Sequence, residues 1–459
     1  MAKPTDIRIR SCRLYFLPVA TRIPLKFGNE TLTSVTCARV CVTVEGRNGR
    51  LATGWGETPL SVQWVWPSEI AYQLRHEALK ELTLLLCQRW AAFEMSGHPL
   101  EIGHAFLEFE LPKLACQVKA AGHSPPHLAA LVCCSPFDIA VCDAFGNLHE
   151  RPSFSTFTAD YLNADLSFYF GSTRNFSGMY PCDFFRPFNE EKITAWHLVG
   201  GLDELKAGVA PLLLVEDGHP TDLESWITQD GLECLKVKLK GTDADWDLDR
   251  LLRVGNIAIN NNVNWLSADF NCCVKEPDYV VRILEHLRRS YPRIYGMLLY
   301  VEQPFPYELQ EHPIDVHAVS SMKPLYLDES AHDWKIVKRG YELGWNGVAL
   351  KTCKTITSAV LSCCWARAHG MEIMVQDLTN PMLAQIAHVQ LARAVGTIMG
   401  VESNAMQFYP DVSKDEEKVH PGLYRRRNGK LDLRSLTGSG LQYRVDEIVR
   451  VLPTAARED

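Results

Sequence analysis

The strongest constraint on this chain is a recurrence that begins near residue 211. Short apolar runs alternate there with amphipathic helical stretches in units of about 30 residues. Parallel strands joined by covering helices have this signature. The candidate strands are Leu212 to Val215, Leu235 to Leu239, Trp265 to Asp269, Met297 to Glu302, Leu325 to Asp328, Gly347 to Lys351 and Glu372 to Gln376, with a last one near Thr397 to Val401. Eight such units predict an α/β protein with a TIM-type (β/α) barrel. The first 60 or so residues differ: Thr36 to Val44 is β-rich, and Leu51 to Glu57 returns after a turn around Gly46 and Gly49. A helix is expected from about Ser68 to Trp90, and another from Ser135, with Pro136 at its first position and Asp138 in its first turn. The N-terminal part therefore reads as a separate α+β domain.

Two stretches do not follow these periods. Residues 151–210 are crowded with aromatics, among them Phe154, Phe157, Tyr161, Phe168, Tyr169, Phe170, Phe184 and Phe185. Sixty residues with so many rings are expected to cover the mouth of the barrel or a subunit contact. Beyond residue 410, Asn428-Gly429 between Leu423–Arg427 and Lys430–Leu433 signals a hairpin.

Bulk properties narrow the class. A length of 459 residues suits two or three domains, and a net charge of −8 without a basic run argues against nucleic acid. The fifteen cysteines form no C-x-x-C pair and sit mostly in apolar runs, as reduced core thiols of a cytoplasmic protein would. No signal peptide is read at the start, and the apolar stretches read as too short for a membrane span.

Charge falls on the barrel strands in a pattern. A strand covered by helices outside and packed with side chains inside should be apolar throughout. In Leu235-Lys236-Val237-Lys238-Leu239 the two lysines instead share the inward face. The next three strands end in Asp269, Glu302 and Asp328, and the following one in Lys351, at separations of 31, 33, 26 and 23 residues from Lys238 onward. All these ends meet at the C-terminal mouth, where active sites of such barrels lie. Taken singly, a carboxylate after a strand is ordinarily a helix N-cap, and Lys-x-Lys is as readily the wet face of an edge strand. The ordered set resists that reading.

Three converging carboxylates repel one another unless a cation sits among them, and an all-oxygen set suits Mg²⁺. A substrate carboxylate beside that ion would have an acidified neighbouring C–H, and a lysine near a metal and a second lysine is brought closer to a working base.

These residues resemble the muconate-lactonising branch of the enolase superfamily, the mandelate racemase/muconate lactonizing enzyme group. Lys236-Val237-Lys238 is similar to its Lys-x-Lys strand, and Asp269-Phe270-Asn271, Tyr300–Pro304 and Leu327–Ser330 to its three metal-ligand motifs. Leu350-Lys351-Thr352 resembles the strand of the opposing lysine, where the mandelate-racemase branch carries an Asp paired with a His; His369 then reads as an ordinary helix-end residue. Gly54-Trp55-Gly56-Glu57, Ala140–Asp143 with Gly146, and Gly438–Leu441 extend the likeness along the chain. The resemblance implies an α+β capping domain over residues 1–135, a modified barrel over 136–410 interrupted by 151–210, and a tail, 411–459, that returns to the cap. It implies Lys238 and Lys351 as bases, Asp269, Glu302 and Asp328 on Mg²⁺, Lys236 on the substrate carboxylate, and Asn271 and Glu329 one layer behind the metal ligands. A lysine base working with Mg²⁺ is the established pattern of enolase-type sites. The implied reaction is proton abstraction alpha to a carboxylate through an enolate, most simply racemisation or epimerisation of an amino-acid or dipeptide substrate. Syn-elimination and cycloisomerisation use the same set; a Schiff-base lyase and a non-catalytic barrel are the rivals from other classes. The expected partner is a small carboxylate, with no nucleic acid or membrane and homo-oligomerisation open.

Overall fold

Antiparallel pairing of long strands opens the chain. In the computed structural model, which describes residues 2–27, 30–171, 176–187, 189–206 and 217–459, β1 (Ile7–Phe27) pairs with β2 (Glu30–Gly46), and β2 with β3 (Leu51–Pro59). The far arm of the β1–β2 hairpin carries Val19, Leu25, Leu32 and Val35 onto Leu198, Met382, Phe408 and Tyr409 of the following domain. Four helices, α1 (Val62–Val65), α2 (Tyr72–Ala91), α3 (Pro99–Phe109) and α4 (Leu111–Ala115), complete the layer over this sheet. Helix α2 buries Leu79 and Leu82, while Leu74 faces solvent.

Helix α5 (His127–Leu148) starts a full eight residues before the expected Ser135, so Pro136 lies inside it. Proline cannot donate to the Val132 carbonyl one turn earlier. The Ser135 hydroxyl donates to that carbonyl instead, at 2.9 Å, and the helix runs through. Its length and apolarity also correct the membrane expectation. Among the described residues α5 is the one helix long and apolar enough to cross a membrane, and its apolar window is buried within the protein. Both ends of that burial are specific. β3 lies so close that a Cβ on Gly54 would meet Ala144 N at 2.1 Å and one on Gly56 would meet Pro136 O at 2.0 Å. On the other side Asp138 accepts hydrogen bonds from Thr357 N (3.1 Å) and Thr357 Oγ1 (2.6 Å) of the barrel.

Eight parallel strands follow in neighbour order: β4 (Lys192–Val199), β5 (Cys234–Lys238), β6 (Trp265–Asp269), β7 (Leu298–Glu302), β8 (Leu325–Leu327), β9 (Gly347–Leu350), β10 (Glu372–Val375) and β11 (Val401–Glu402), with β11 pairing back onto β4. This is a capped TIM-type barrel. The expected strand Leu212–Val215 lies outside the described residues. The barrel's first strand is instead Lys192–Val199, inside the stretch read as an insertion; Thr194 and the buried His197 break its apolar run. The barrel floor is filled by Trp196, Cys234, Tyr300, Tyr326 and Met374. Tyr300 and Tyr326 stack at 4.4 Å, for which Gly347 makes room, since a Cβ there would fall 2.1 Å from the Tyr326 ring.

The described residues of 151–191 do not cover the mouth. Phe170 packs on Trp334 at 5.0 Å, Phe176 on His369 at 6.3 Å, and the Phe184 carbonyl accepts from the Arg367 guanidinium. His369 caps the C-terminal end of helix Ile356–Ala368, just before β10 begins. The segment thus runs along the outer flank of the barrel, from Trp334 at the start of the helix after β8 to His369 just before β10. The expected hairpin near 428 is also reduced to its turn. Asn428 (φ 51°) and Gly429 (φ 68°) form a left-handed pair, but β12 (Lys430–Asp432) pairs antiparallel with β4. Its expected partner is drawn inward by the Arg426–Asp230 ion pair at 2.8 Å. Further on, Leu441 N donates to Asp143 of α5 at 2.6 Å, and β13 (Arg457–Glu458) pairs with β1.

Candidate active site

Strand alternation decides which side chains enter the barrel. Above the aromatic floor, the inward positions of β5, β6, β7 and β11 present Lys236, Lys238, Asp269, Glu302 and Glu402, and Gln376 follows the last residue of β10, all buried. Lys236 Nζ stands 2.5 Å from Glu302, 3.1 Å from Asp269 and 3.2 Å from Glu402. Lys238 Nζ is 2.6 Å from Asp269. Asp328 and Lys351 follow the last residues of β8 and β9 and pair at 3.2 Å. The structure therefore brings all six principal residues read from the sequence to the mouth as two ion-pair groups, Lys236 and Lys238 with Asp269 and Glu302, and Lys351 with Asp328, that feel one another's charge.

Asn271 and Glu329 also reach the site. Asn271 N donates to Asp269 Oδ1 at 2.9 Å, and its amide reaches Glu329 at 3.5 Å. Asn271 takes a left-handed backbone (φ 46°), which places its N–H back toward the carboxylate two residues earlier.

Several participants were not singled out from sequence. Glu402 is a further charged strand end, one residue beyond the Val401 at which the apolar run of the eighth strand stops. Lys354 donates to the Asp328 carbonyl and lies 3.4 Å from its carboxylate; it sits in a 3-10 turn, where no strand rule applies. Gln376 donates to Glu302 at 2.5 Å. Gln303 ties two strand ends together, accepting from Asp328 N at 2.8 Å while its amide donates to Ser330 Oγ at 2.8 Å. Trp64 reaches in from α1 of the cap. Its indole N–H donates to Glu329 at 3.0 Å, and its ring faces the ammonium groups of Lys351 (5.3 Å) and Lys354 (5.6 Å). No sequence period announces such a contact.

Burial alone would disfavour every charge here. It is outweighed at Asp269 by Lys238 and Lys236, and at Asp328 by Lys351 and Lys354, so both carboxyls are held below the usual range. Glu302 goes the other way: burial, reinforced by the charges of Asp269 and Asp328, pushes it well up. Burial opposes the charge on Lys236 and Lys351, but the surrounding carboxylates hold both ammonium groups above their ordinary range. The expectation of a lysine eased toward neutrality by a neighbouring lysine is thus not met at Lys351 in this arrangement, because its carboxylate neighbours dominate.

The donor set fits a hard divalent cation. Asp269, Glu302 and Asp328 offer only oxygen donors, and the upward push on Glu302 by the other two is a local demand for positive charge. Among the described residues no three His, Cys, Asp or Glu side chains are drawn together closely enough to hold a metal as they stand. Lys236 lies between Asp269 and Glu302 and supplies that charge itself.

A family model described as enolase C-terminal domain-like matches residues 221–448. The chain belongs to the enolase superfamily. Its fold is shared with solved structures of the muconate-lactonizing and mandelate-racemase type. A dipeptide epimerase from Enterococcus faecalis V583, complexed with Mg and dipeptide L-Leu-L-Tyr, aligns with a TM-score of 0.61 at 16% identity over 95% of this chain and 99% of that one. An N-succinyl Arg/Lys racemase from Bacillus cereus ATCC 14579 aligns at 0.59 and 16% over 98% and 99%. A muconate lactonizing enzyme from Pseudomonas Fluorescens, complexed with muconolactone, aligns at 0.59 and 12% over 95% of each chain. No curated protein matches the sequence. Against this superfamily background, the lysines on β5 and after β9 occupy strands four apart in an eight-stranded ring, which puts them on facing sides of the mouth.

Proposed function

We propose that this enolase-superfamily chain is a magnesium-dependent isomerase that removes and returns the proton alpha to a substrate carboxylate, most simply as a racemase or epimerase of amino-acid or dipeptide type. The observation that carries the reading is the pair of lysines, Lys238 and Lys351, on facing strands around one carboxylate cluster. Magnesium held by Asp269, Glu302 and Asp328 would supply positive charge to a bound carboxylate and so acidify the adjacent C–H. Lys238, in its neutral form, takes the proton from one face of the α-carbon, and Lys351, in its charged form, delivers one to the other; the opposite isomer reverses the roles. Lys236 neutralises the carboxylate as negative charge builds on it in the enolate. Asn271 and Gln303 hold Asp269 and the Asp328 backbone in place. Trp64 and burial of the whole set keep bulk water from reprotonating the intermediate. The dipeptide epimerase and the racemase among the similar structures support the same class.

One observation favours a second reading. Lys351 is gripped by Asp328 at 3.2 Å, by the Asp377 carbonyl at 2.9 Å and by the Trp64 ring at 5.3 Å. That setting suits a fixed cation, in which case Lys238 is the single base of a syn-elimination or cycloisomerisation. Proton NMR in D₂O with Mg²⁺, following each substrate isomer separately across dipeptides and N-acyl amino acids, decides between them. Two-base chemistry requires Lys238→Ala and Lys351→Ala each to lose net isomerisation while exchanging the α-proton of a different single isomer. Wild-type isomerisation by Lys351→Ala refutes it. Asp269→Asn should also abolish Mg²⁺ binding by calorimetry; unchanged affinity would remove the metal assignment.

A further inference from the structure

The lower rim of the barrel, opposite the mouth, carries a second concentration of charge. Lys192 opens β4, and β12 brings Lys430 and Asp432 beside it. With Pro421, Gly422, Arg425, Arg427, Asn428, Arg434 and Ser435, which complete the wall, these residues enclose a cavity of about 530 Å³. Five of its lining side chains are cationic and one is anionic, in a chain whose acidic residues outnumber its basic ones by 55 to 47. Local composition here runs against the whole.

Pairing does not cancel the excess. Arg434 is held by Asp432 at 2.5 Å, with Glu191 at 3.9 Å, and Arg425 is paired with Glu417. Asp432 is also Lys192's cross-strand neighbour and feels its charge. No ion pair engages Lys192, Arg427 or Lys430 among the described residues. Three cations thus share one concavity without an ion pair among the described residues, and like charges so placed raise the free energy of the empty site.

The wall is rigid. The Gly422 carbonyl accepts from Asp432 N at 3.1 Å, and Gly422 must be glycine, because a Cβ would fall 2.5 Å from Asp432 Cβ. Arg427 and Lys430 flank the left-handed Asn428-Gly429 turn and are bridged backbone to backbone, which fixes them on the same rim. The cations therefore stand on hydrogen-bonded backbone and not on a free tail, which preorganises them.

We propose that this cavity is a binding site for a small polyphosphorylated anion, one with at least two linked phosphate groups. The volume falls in the range of small-molecule sites, and arginine forks with lysine ammonium groups suit phosphate oxygens. An acidic protein surface would need a flatter patch. The site lies at the opposite end of the strands from the catalytic cluster, so its ligand is not the reacting carboxylate.

Magnesium pyrophosphate, titrated calorimetrically into the protein with the same excess of Mg²⁺ in cell and syringe, is the probe. Saturable binding is expected, weakened about tenfold by Arg427→Gln and again by Lys430→Gln, and weakened further by raising salt. Neither substitution should change turnover. Asp269→Asn should leave pyrophosphate binding intact, which separates this site from any anion captured at the mouth. Absence of saturable binding, binding unmoved by the two rim variants, or binding lost in Asp269→Asn would overturn the proposal. So would retention of poly-glutamate, but not pyrophosphate, in an Arg427- and Lys430-dependent manner.

Discussion

Replacing Lys236 by methionine keeps the unbranched chain as far as Cε and removes the charged end, leaving Asp269, Glu302 and Glu402 facing one another without the cation that now lies within 3.2 Å of each. Losing one partner of a buried ion pair costs about 3–5 kcal/mol. An unfolding entropy of about 2.1 cal/mol/K per residue gives roughly 1 kcal/mol/K for a chain of this size unfolding as one, so the melting temperature should fall by about 3–5 °C in chelator. Glu302, already pushed up by burial and by Asp269, can relieve the repulsion by taking a proton, so the deficit should shrink toward pH 5. Added Mg²⁺ should then raise the melting temperature of Lys236→Met more than that of the wild type, because the ion no longer displaces an ammonium group. Differential scanning calorimetry in EDTA and in Mg²⁺, at pH 5 and 8, reads all of this. A variant that melts with the wild type in EDTA, or that gains nothing extra from Mg²⁺, refutes the view that Lys236 is the cluster's resident cation.

Gly54→Ala should cost at least about 3 kcal/mol in urea denaturation, because its Cβ would overlap the backbone of Ala140 and Ala144, which cannot turn aside. The buried His98 ring accepts the Leu100 N–H at 3.1 Å and meets Thr156 Oγ1 at 3.0 Å, and burial pushes its pKa down to about 3. Unfolded, it titrates near 6.5, so its contribution is fully present above that pH and is lost as pH falls toward 3, at about 1.4 kcal/mol per unit. At pH 5 this is about 2 kcal/mol, and urea midpoints for His98→Asn should show a correspondingly flatter acid limb. Trp64→Phe should lower stability by about 1–3 kcal/mol, since Glu329, whose other oxygen has no partner, would keep only the 3.5 Å contact from Asn271. Substrate KM should rise more than kcat falls.

The barrel and its charged ends were legible because both obey strict periods. A strand alternates every second residue and a βα unit recurs, so Lys236, Lys238, Asp269, Glu302, Asp328 and Lys351 announced one another across more than a hundred residues of sequence. What failed did so where local signals met a tertiary override. Pro136 looks like a helix start until the Ser135 hydroxyl takes over its missing hydrogen bond. Lys192–Val199 does not look like a buried strand because His197 and Thr194 interrupt it, although both fit once neighbours surround them. Trp64 and Lys354 belong to short turns with no period, and their relevance appears only when cap and barrel meet.

At Gly54 and Gly56, helix α5 touches β3 backbone to backbone, with no side chains between to serve as a bearing. Surfaces meshed so closely neither slide nor part in small steps. The cap is therefore keyed to the helix that leads into the barrel, and a clamshell opening along that seam would have to unpick the sheet. Two smaller parts of the cap meet the barrel beyond this seam: the single turn that carries Trp64 to Lys351, and the hairpin arm resting on Leu198 and Phe408. Substitutions in that turn are expected to alter what reaches the lysines while leaving the frame's fold untouched.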